Sequence, residues 1–108
     1  MVRWSTVALG AMGLLASEPA LAQLSPAAQR GLTFVRVHCA PCHAIDMASE
    51  SPLAIAPPFR SLHLRFPIES LQRRLSEGIV AGHPTMPQFR LEADQITDVI
   101  AYLKALER

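Results

Sequence analysis

The sequence predicts an all-α fold of three to four helices joined by long loops. Apolar residues recur at helical spacing in three segments, near residues 26–37, 67–77 and 92–106. No segment shows the alternation of apolar and polar residues that is typical of a half-buried strand. Most of the nine prolines fall between the three segments, which favours irregular loops there.

The first helix is predicted to begin after Ser25 and to end near Val37. Ser25 is a suitable N-cap, and Pro26 fits the first helical position because its missing N–H would have no partner there. The residues at helical spacing in this segment are Ala27, Gly31, Phe34, Val35 and His38. We expect them to form one face of the helix.

Residues 44–66 are predicted to form a loop that includes at most a short helical turn. A second helix follows over residues 67–77, with Ile68, Leu71 and Leu75 as its apolar stripe and Gly78 as its stop. Residues 79–91 are read as another loop. The last helix, over residues 92–106, has the clearest pattern, and its apolar face consists of Ile96, Val99, Ile100, Leu103 and Leu106.

The N-terminal residues 1–22 are predicted to be a signal peptide, and residues 23–108 a single domain. Arg3 supplies a positive charge, residues 7–16 form an uncharged apolar run, and Ala20-Leu21-Ala22 has the small-x-small form of a cleavage site. The apolar run is shorter than the roughly 20 residues that a membrane-spanning helix needs. We therefore expect export to the periplasm without stable membrane insertion, an uncleaved N-terminal anchor being the alternative.

The overall composition indicates a globular domain and gives little indication of a charged partner. The formal net charge is +1, and no block of Lys or Arg resembles a nucleic-acid-binding patch. A domain of this size has little core of its own, and long structureless loops are unusual in it. Both features are explained if the loops surround a large apolar ligand.

The residues that carry chemistry are Cys39-Ala40-Pro41-Cys42-His43. Two thiols separated by two residues can add to the two vinyl groups of a haem and form two thioether bonds. A histidine directly after the second cysteine can reach the iron with a ring nitrogen. This pattern is typical of c-type haem attachment, so Cys39 and Cys42 are predicted to bind one haem c and His43 to ligate its iron.

Three other interpretations of the cysteine pair fit the sequence less well. A redox-active dithiol would need a βαβ context, which the sequence around the motif does not have. A structural zinc site would need four ligands, and His38, His63 and His83 do not occur at paired spacing. A disulfide between Cys39 and Cys42 would close only a very short loop and would stabilise the fold little.

The second axial ligand of the iron must approach from the face opposite His43. Met86 is the best candidate because it lies far downstream, in a loop stiffened by Pro84 and Pro87. Met47 follows His43 too closely to cross the haem plane. The competing ligands are His83 and then His63.

The order and spacing of these features resemble those of the class I c-type cytochromes, particularly the small soluble bacterial ones. The resemblance covers residues 26–108. The features that carry it are Gly31, the Cys39–His43 motif, Ala56-Pro57-Pro58-Phe59, Thr85-Met86-Pro87 and the terminal Ile100-Ala101-Tyr102-Leu103.

The resemblance implies a cytochrome c fold with loops wrapped around one covalently bound haem, and His43 and Met86 as iron ligands. It also implies that a proline carbonyl accepts the N–H of the proximal histidine, with Pro57 the best candidate and Pro58 the alternative. The first and last helices of this family cross closely, which Gly31 would permit. Arg60 is a candidate for binding a haem propionate.

A single-electron carrier, and not an enzyme, is the function that these observations favour. With both axial positions filled by His and Met, the iron would have no ready site for a substrate. The expected partners are redox proteins, a donor and an acceptor that dock transiently at the haem edge of a monomer. The alternatives are a cytochrome subunit of a periplasmic dehydrogenase or oxidase complex, and a haem-based sensor or enzyme with a displaceable sixth ligand.

Overall fold

The computed structural model describes residues 23–78, 86–87 and 90–107, together with Arg3, Ser5, Thr6, Gly10 and Gly13. Most of the predicted signal peptide and of the predicted loop over residues 79–91 therefore lies outside the described residues. The described part contains three α-helices and two short 3-10 segments, and it contains no strand. The all-α prediction is confirmed for these residues.

Helix α1 spans Pro26–His38, one residue beyond the predicted end. Ser25 caps it as predicted, because its Oγ accepts a hydrogen bond from the Ala28 N–H at 3.1 Å. The residues that it buries are Ala28, Gly31 and Val35. Ala27 and Phe34 are only half-buried and His38 is exposed, so the core face is narrower than the predicted stripe.

The segment between α1 and the next α-helix contains more regular structure than the sequence predicts. Two 3-10 segments, Phe59–Leu64 and Ile68–Ser70, begin after Pro58 and Pro67. Three residues after each of these prolines, a serine donates to the proline carbonyl through its side chain, Ser61 at 2.9 Å and Ser70 at 2.7 Å. These bonds reinforce the three-residue spacing that defines a 3-10 turn.

Helix α2 spans Leu71–Glu77, so the first residues of the predicted second helix are 3-10 rather than α. Its stripe is as predicted, since Ile68, Leu71 and Leu75 are all buried. Gly78 ends the helix with a φ of 94°, a conformation that favours glycine.

Helix α3 spans Ala93–Ala105, with Glu92 as N-cap and Leu106 as C-cap. The Glu92 N–H donates to Oε1 of Gln95 at 3.0 Å, which satisfies one backbone donor at the start of the helix. Its buried residues are Ile96, Val99, Tyr102 and Leu103, and Leu106 is buried just beyond its end. Ile100 is half-buried against the same core.

Helices α1 and α3 form the principal contact of the fold, and Gly31 is at its centre. A Cβ at position 31 would lie 2.0 Å from the Asp98 carbonyl oxygen and 2.9 Å from Cβ of Tyr102. The close helix crossing expected from the resemblance is therefore present. Val35, which is fully buried, extends the same contact toward the cysteine motif.

Among the described residues, no helix has the length and apolar composition needed to cross a membrane.

Candidate cofactor site around Cys39, Cys42 and His43

The cysteine motif forms one turn directly after helix α1. The Cys39 N–H donates to the Val35 carbonyl at 2.8 Å, so the motif continues the backbone path of the helix. The Cys39 carbonyl then accepts from the Cys42 N–H at 3.1 Å and from the His43 N–H at 2.9 Å. Since residues three and four apart share a face of a helical turn, Cys39, Cys42 and His43 lie on the same side of this turn.

The two thiols are half-buried and are not joined to each other. Burial raises the pKa of Cys39 to about 11. This shift is opposite to that of a reactive dithiol, which needs a lowered pKa to supply its thiolate. Nor do the described residues contain a cluster of three or more His, Cys, Asp or Glu side chains that could hold a metal ion, so they give no support to the zinc alternative.

The ring of His43 is held by two contacts with one short segment. Its Nδ1 lies 2.8 Å from the Pro57 carbonyl oxygen. Because a carbonyl can only accept, Nδ1 donates in this bond, and Nε2 is the ring nitrogen left for a metal. The ring of Phe59 packs beside it, with the ring centroids 4.8 Å apart and the planes tilted by 38°.

The backbone on either side of His43 is tied to the segment that supplies these contacts. The Ala44 N–H donates to Ser51 Oγ at 2.9 Å, and the Ala44 carbonyl accepts from the Phe59 N–H at 2.9 Å. The Cys42 carbonyl accepts from the Leu53 N–H at 3.1 Å. Residues 44–60, which we call the histidine loop, therefore fold back on the motif from which they start.

The outer part of the histidine loop is built around Asp46. Its carboxylate accepts from the Ala48 N–H at 2.9 Å and from Ser49 through the backbone N–H at 2.6 Å and the hydroxyl at 2.5 Å. These hydrogen bonds, led by that of the Ser49 hydroxyl, lower the pKa of Asp46 to about 2. Arg60 is the candidate for binding a haem propionate. Its Nη1 donates to the Ser49 carbonyl at 2.7 Å, so this nitrogen is engaged by the loop.

Helix α3 is joined to the histidine loop by Tyr102. The side chain is buried, and its hydroxyl donates to the Ile45 carbonyl, two residues after His43. The same residue contacts Gly31 at the helix crossing. Tyr102 thus connects the scaffold of the fold to the backbone beside the predicted iron ligand.

The predicted second axial ligand, Met86, is half-buried. Residues 79–85 and 88–89 around it, including the alternative ligand His83, lie outside the described residues. Met47 is 44% exposed, and His63 is half-buried in the 3-10 segment. The structure thus groups Cys39, Cys42, His43 and Pro57, while ligation by Met86 stays a prediction.

Sequence reasoning missed three residues of this site. The ring of Phe59 contacts His43, and the Ala56–Phe59 motif contained the signal for it. The Pro-x-x-Ser spacing signalled the 3-10 segment on which Phe59 lies. Ser51 binds a backbone N–H that only the folded path of the loop brings near, and no sequence pattern marked it. Tyr102 belongs to the terminal motif that carries the resemblance, but nothing in that motif predicted the bond of its hydroxyl to Ile45.

The donor set of the described residues fits a c-type haem. Two unjoined thiols, three positions apart, share one side of a turn with an imidazole whose Nδ1 is engaged by a carbonyl, which leaves Nε2 for the metal. Cys39 and Cys42 would hold the haem through thioether bonds, and His43 would ligate the iron. The hydrogen bond at Nδ1 is the kind of outer contact that fixes the orientation of a metal-ligating histidine.

Comparison with known proteins gives the same result for most of the chain. A family model described as Cytochrome c matches residues 28–107. Neither a search of curated proteins nor a search of solved structures found a match. The matched residues include both cysteines, His43, the histidine loop and α1 to α3 almost entirely. The chain therefore belongs to the cytochrome c family, as a haem-binding protein of electron transfer whose iron-containing haem is attached covalently.

Proposed function

We propose that this cytochrome is a diffusing single-electron carrier of the periplasm, with His43 and Met86 as the axial ligands of its haem iron. It would act as a monomer and exchange electrons with a donor and an acceptor that dock transiently. The haem would supply the redox chemistry, the iron alternating between the ferric and ferrous states. The chain would supply attachment, ligation, and exclusion of water from the iron.

The observation that carries this proposal is the hydrogen bond between His43 Nδ1 and the Pro57 carbonyl at 2.8 Å. It fixes the tautomer that leaves Nε2 available, and it does so on the same turn as the two cysteines. A histidine that is oriented by a backbone carbonyl is a stronger donor to a metal than a free imidazole. A thioether such as that of Met86 on the opposite face favours the ferrous state and raises the reduction potential.

The attachment is tested by the double substitution Cys39→Ala, Cys42→Ala. When the denatured wild type is extracted with acid acetone, haem should stay with the protein because it is held by thioether bonds. In the double variant it should be extracted. Haem that remained attached to the double variant would contradict the assignment of these two residues.

The ligation is tested by Met86→Ala, with Met47→Ala as the matched control. Loss of the sixth ligand should abolish the iron–thioether charge-transfer band of the ferric protein and lower its potential. Met47, which is 44% exposed, should be replaceable without either change. A band that persisted in the Met86 variant would overturn the assignment of this ligand.

The freely diffusing role is tested on the wild-type protein. Slow or absent binding of carbon monoxide to the ferrous form is expected if Met86 fills the sixth position, whereas rapid binding would support a sensor. Persistent co-purification with a dehydrogenase or oxidase would support the role of a dedicated subunit.

Export is tested by the N-terminus of the protein from the periplasmic fraction, which should be Gln23.

A further inference from the structure

We propose that Ser51 is a positioning residue for the iron ligand His43. It would act through Ala44 and Phe59, holding the Pro57 carbonyl at the Nδ1 proton and thereby setting the reduction potential. The inference rests on the proposed ligation by His43. It concerns a hydroxyl that accepts a hydrogen bond from Ala44, the residue directly after the ligand.

The first step is the position of Ala44, the residue directly after the ligand. Ala44 is 3% exposed, and both of its backbone polar groups bind the histidine loop. Its N–H donates to Ser51 Oγ at 2.9 Å, and its carbonyl accepts from the Phe59 N–H at 2.9 Å. The backbone beside His43 is therefore fixed from both sides by the same loop.

The second step is that the C-terminal end of the histidine loop makes both contacts with the ligand ring. Pro57 supplies the carbonyl at Nδ1, and Phe59 supplies the ring that packs beside the imidazole. Among the hydrogen bonds of the described residues, two join Ala44 to the rest of the histidine loop, those with the Phe59 N–H and with the Ser51 hydroxyl. Removal of the hydroxyl leaves one such link and a buried N–H without its acceptor, which is costly.

The third step concerns the electronic effect on the ligand. Donation from Nδ1 to a carbonyl makes the imidazole more basic, and a more basic ligand stabilises the ferric state. Greater freedom of the loop weakens this donation on average. The reduction potential of a Ser51→Ala holoprotein should therefore rise, although Ser51 is neither one of the two cysteines nor a proposed iron ligand.

The experiment compares Ser51→Ala with Ser51→Thr and with the control Ser61→Ala in the holoprotein. Threonine keeps the hydroxyl, so it should restore the wild-type potential. Ser61 also has a half-buried hydroxyl in this region, which donates to the Pro58 carbonyl at 2.9 Å. When this hydroxyl is removed, the carbonyl still accepts a hydrogen bond from the backbone N–H of the same residue, which lies at 3.1 Å. Its loss should leave the potential unchanged.

A second readout follows the Nδ1 proton itself by NMR of the ferrous protein. In Ser51→Ala, exchange of this proton with solvent should be about tenfold faster, the factor expected when one net hydrogen bond is lost. In the wild type, the Ala44 amide and the Nδ1 proton should be protected to similar extents, because one opening of the loop exposes both. The comparison of these two protons in the wild type does not depend on whether Ser51→Ala accumulates.

Unchanged potential and unchanged proton exchange in Ser51→Ala would overturn the proposal, as would clearly different protection of the two protons in the wild type. A stability loss with no change in potential would make Ser51 merely structural and would also overturn it. These outcomes leave the proposed function intact. Spectra of the wild type that lack histidine ligation would instead overturn both proposals, so the two failures are distinguishable.

Discussion

Helices α1 and α3 meet where Gly31 brings two backbones together, whereas the histidine loop meets the cysteine motif through hydrogen bonds. The buried contacts at the crossing are those of shape, with Gly31 against the Asp98 backbone and Val35 fully buried, and one exposed ion pair to Asp98 lies beside them. In the loop they are polar, with Ser51 and Asp46 binding backbone N–H groups. The crossing is therefore sensitive to added volume, and the loop to loss of a donor, an acceptor or a charge.

This difference separates two tasks of a small haem protein. A crossing of close-packed backbones cannot adjust by small steps, so it provides a rigid frame. Hydrogen bonds around a ligand can be strengthened or weakened one at a time without disruption of the frame. We expect substitutions at the crossing to act mainly on stability, and substitutions in the loop to act on the environment of His43.

The largest effect is expected from Gly31→Ala. The new Cβ would lie 2.0 Å from the Asp98 carbonyl oxygen and 2.6 Å from its carbon, both backbone atoms that move only if α3 moves. Overpacking of this kind should lower the free energy of unfolding by about 3 kcal/mol. Denaturation of the holoprotein by guanidinium chloride measures this loss.

The control for Gly31→Ala is Thr33→Ala, at an exposed position of the same helix. Its free energy of unfolding should stay within about 0.5 kcal/mol of the wild type. Wild-type stability in the Gly31 variant would contradict the close crossing. A changed reduction potential in molecules that still fold would contradict the separation between frame and loop.

Tyr102→Phe tests a side chain that contacts both regions, and its effect should be intermediate. The ring keeps its packing at Gly31, while the Ile45 carbonyl loses the hydroxyl that donates to it. We expect a loss of about 1.5 kcal/mol in the free energy of unfolding, measured at neutral pH.

The same pair of proteins has a pH dependence with a definite sign. Burial, and secondarily the charge of Asp46, raises the pKa of Tyr102 above its ordinary value of 10.0. The stability that the un-ionised Tyr102 hydroxyl contributes is complete below pH 10.0. It is lost as pH rises through the raised native pKa, because Tyr102 ionises at a lower pH in the unfolded chain. The stability difference between wild type and Tyr102→Phe should therefore narrow above pH 10.0, whereas a constant difference would contradict burial of the phenol.

The helices and the attachment turn were predictable from sequence because their determinants are local. Ser25 caps α1, Gly78 ends α2, and the stripe Ile68, Leu71 and Leu75 is buried as its spacing indicates. The contact between His43 and Pro57 came from family resemblance, since nothing local joins residues that are 14 positions apart. Family spacing supplied a long-range contact that periodicity could not.

Other parts of the site depend on the path of the loop in three dimensions. The bond from Ala44 to Ser51 exists only because the loop turns back, and serine is common in exposed loops of every kind. A short helical turn was allowed within residues 44–66, but the 3-10 segment Phe59–Leu64 could not be located because six residues give too little periodicity to separate it from a loop. For Ser51, tertiary position and not residue type determines the role.

The smallest effect is expected from Asp46→Asn, which tests the polar character of the loop. Hydrogen bonds from Ser49 and Ala48 hold the pKa of Asp46 at about 2, below the ordinary value of 3.8. A group with a lowered native pKa contributes stability above its ordinary value, and that contribution is lost as pH falls toward about 2. Because the carboxylate is exposed, the loss in Asp46→Asn should be below about 1 kcal/mol at neutral pH.

The prediction is checked by measuring the free energies of unfolding of the wild type and of Asp46→Asn from pH 6 downward, with Glu50→Gln as the control. That substitution removes one exposed negative charge from the same loop, so it reproduces the effect of net charge alone. The difference between wild type and Asp46→Asn should diminish toward the acid end of the series. A difference that stayed constant, or that Glu50→Gln reproduced, would mean that the Asp46 turn holds no interaction specific to its carboxylate.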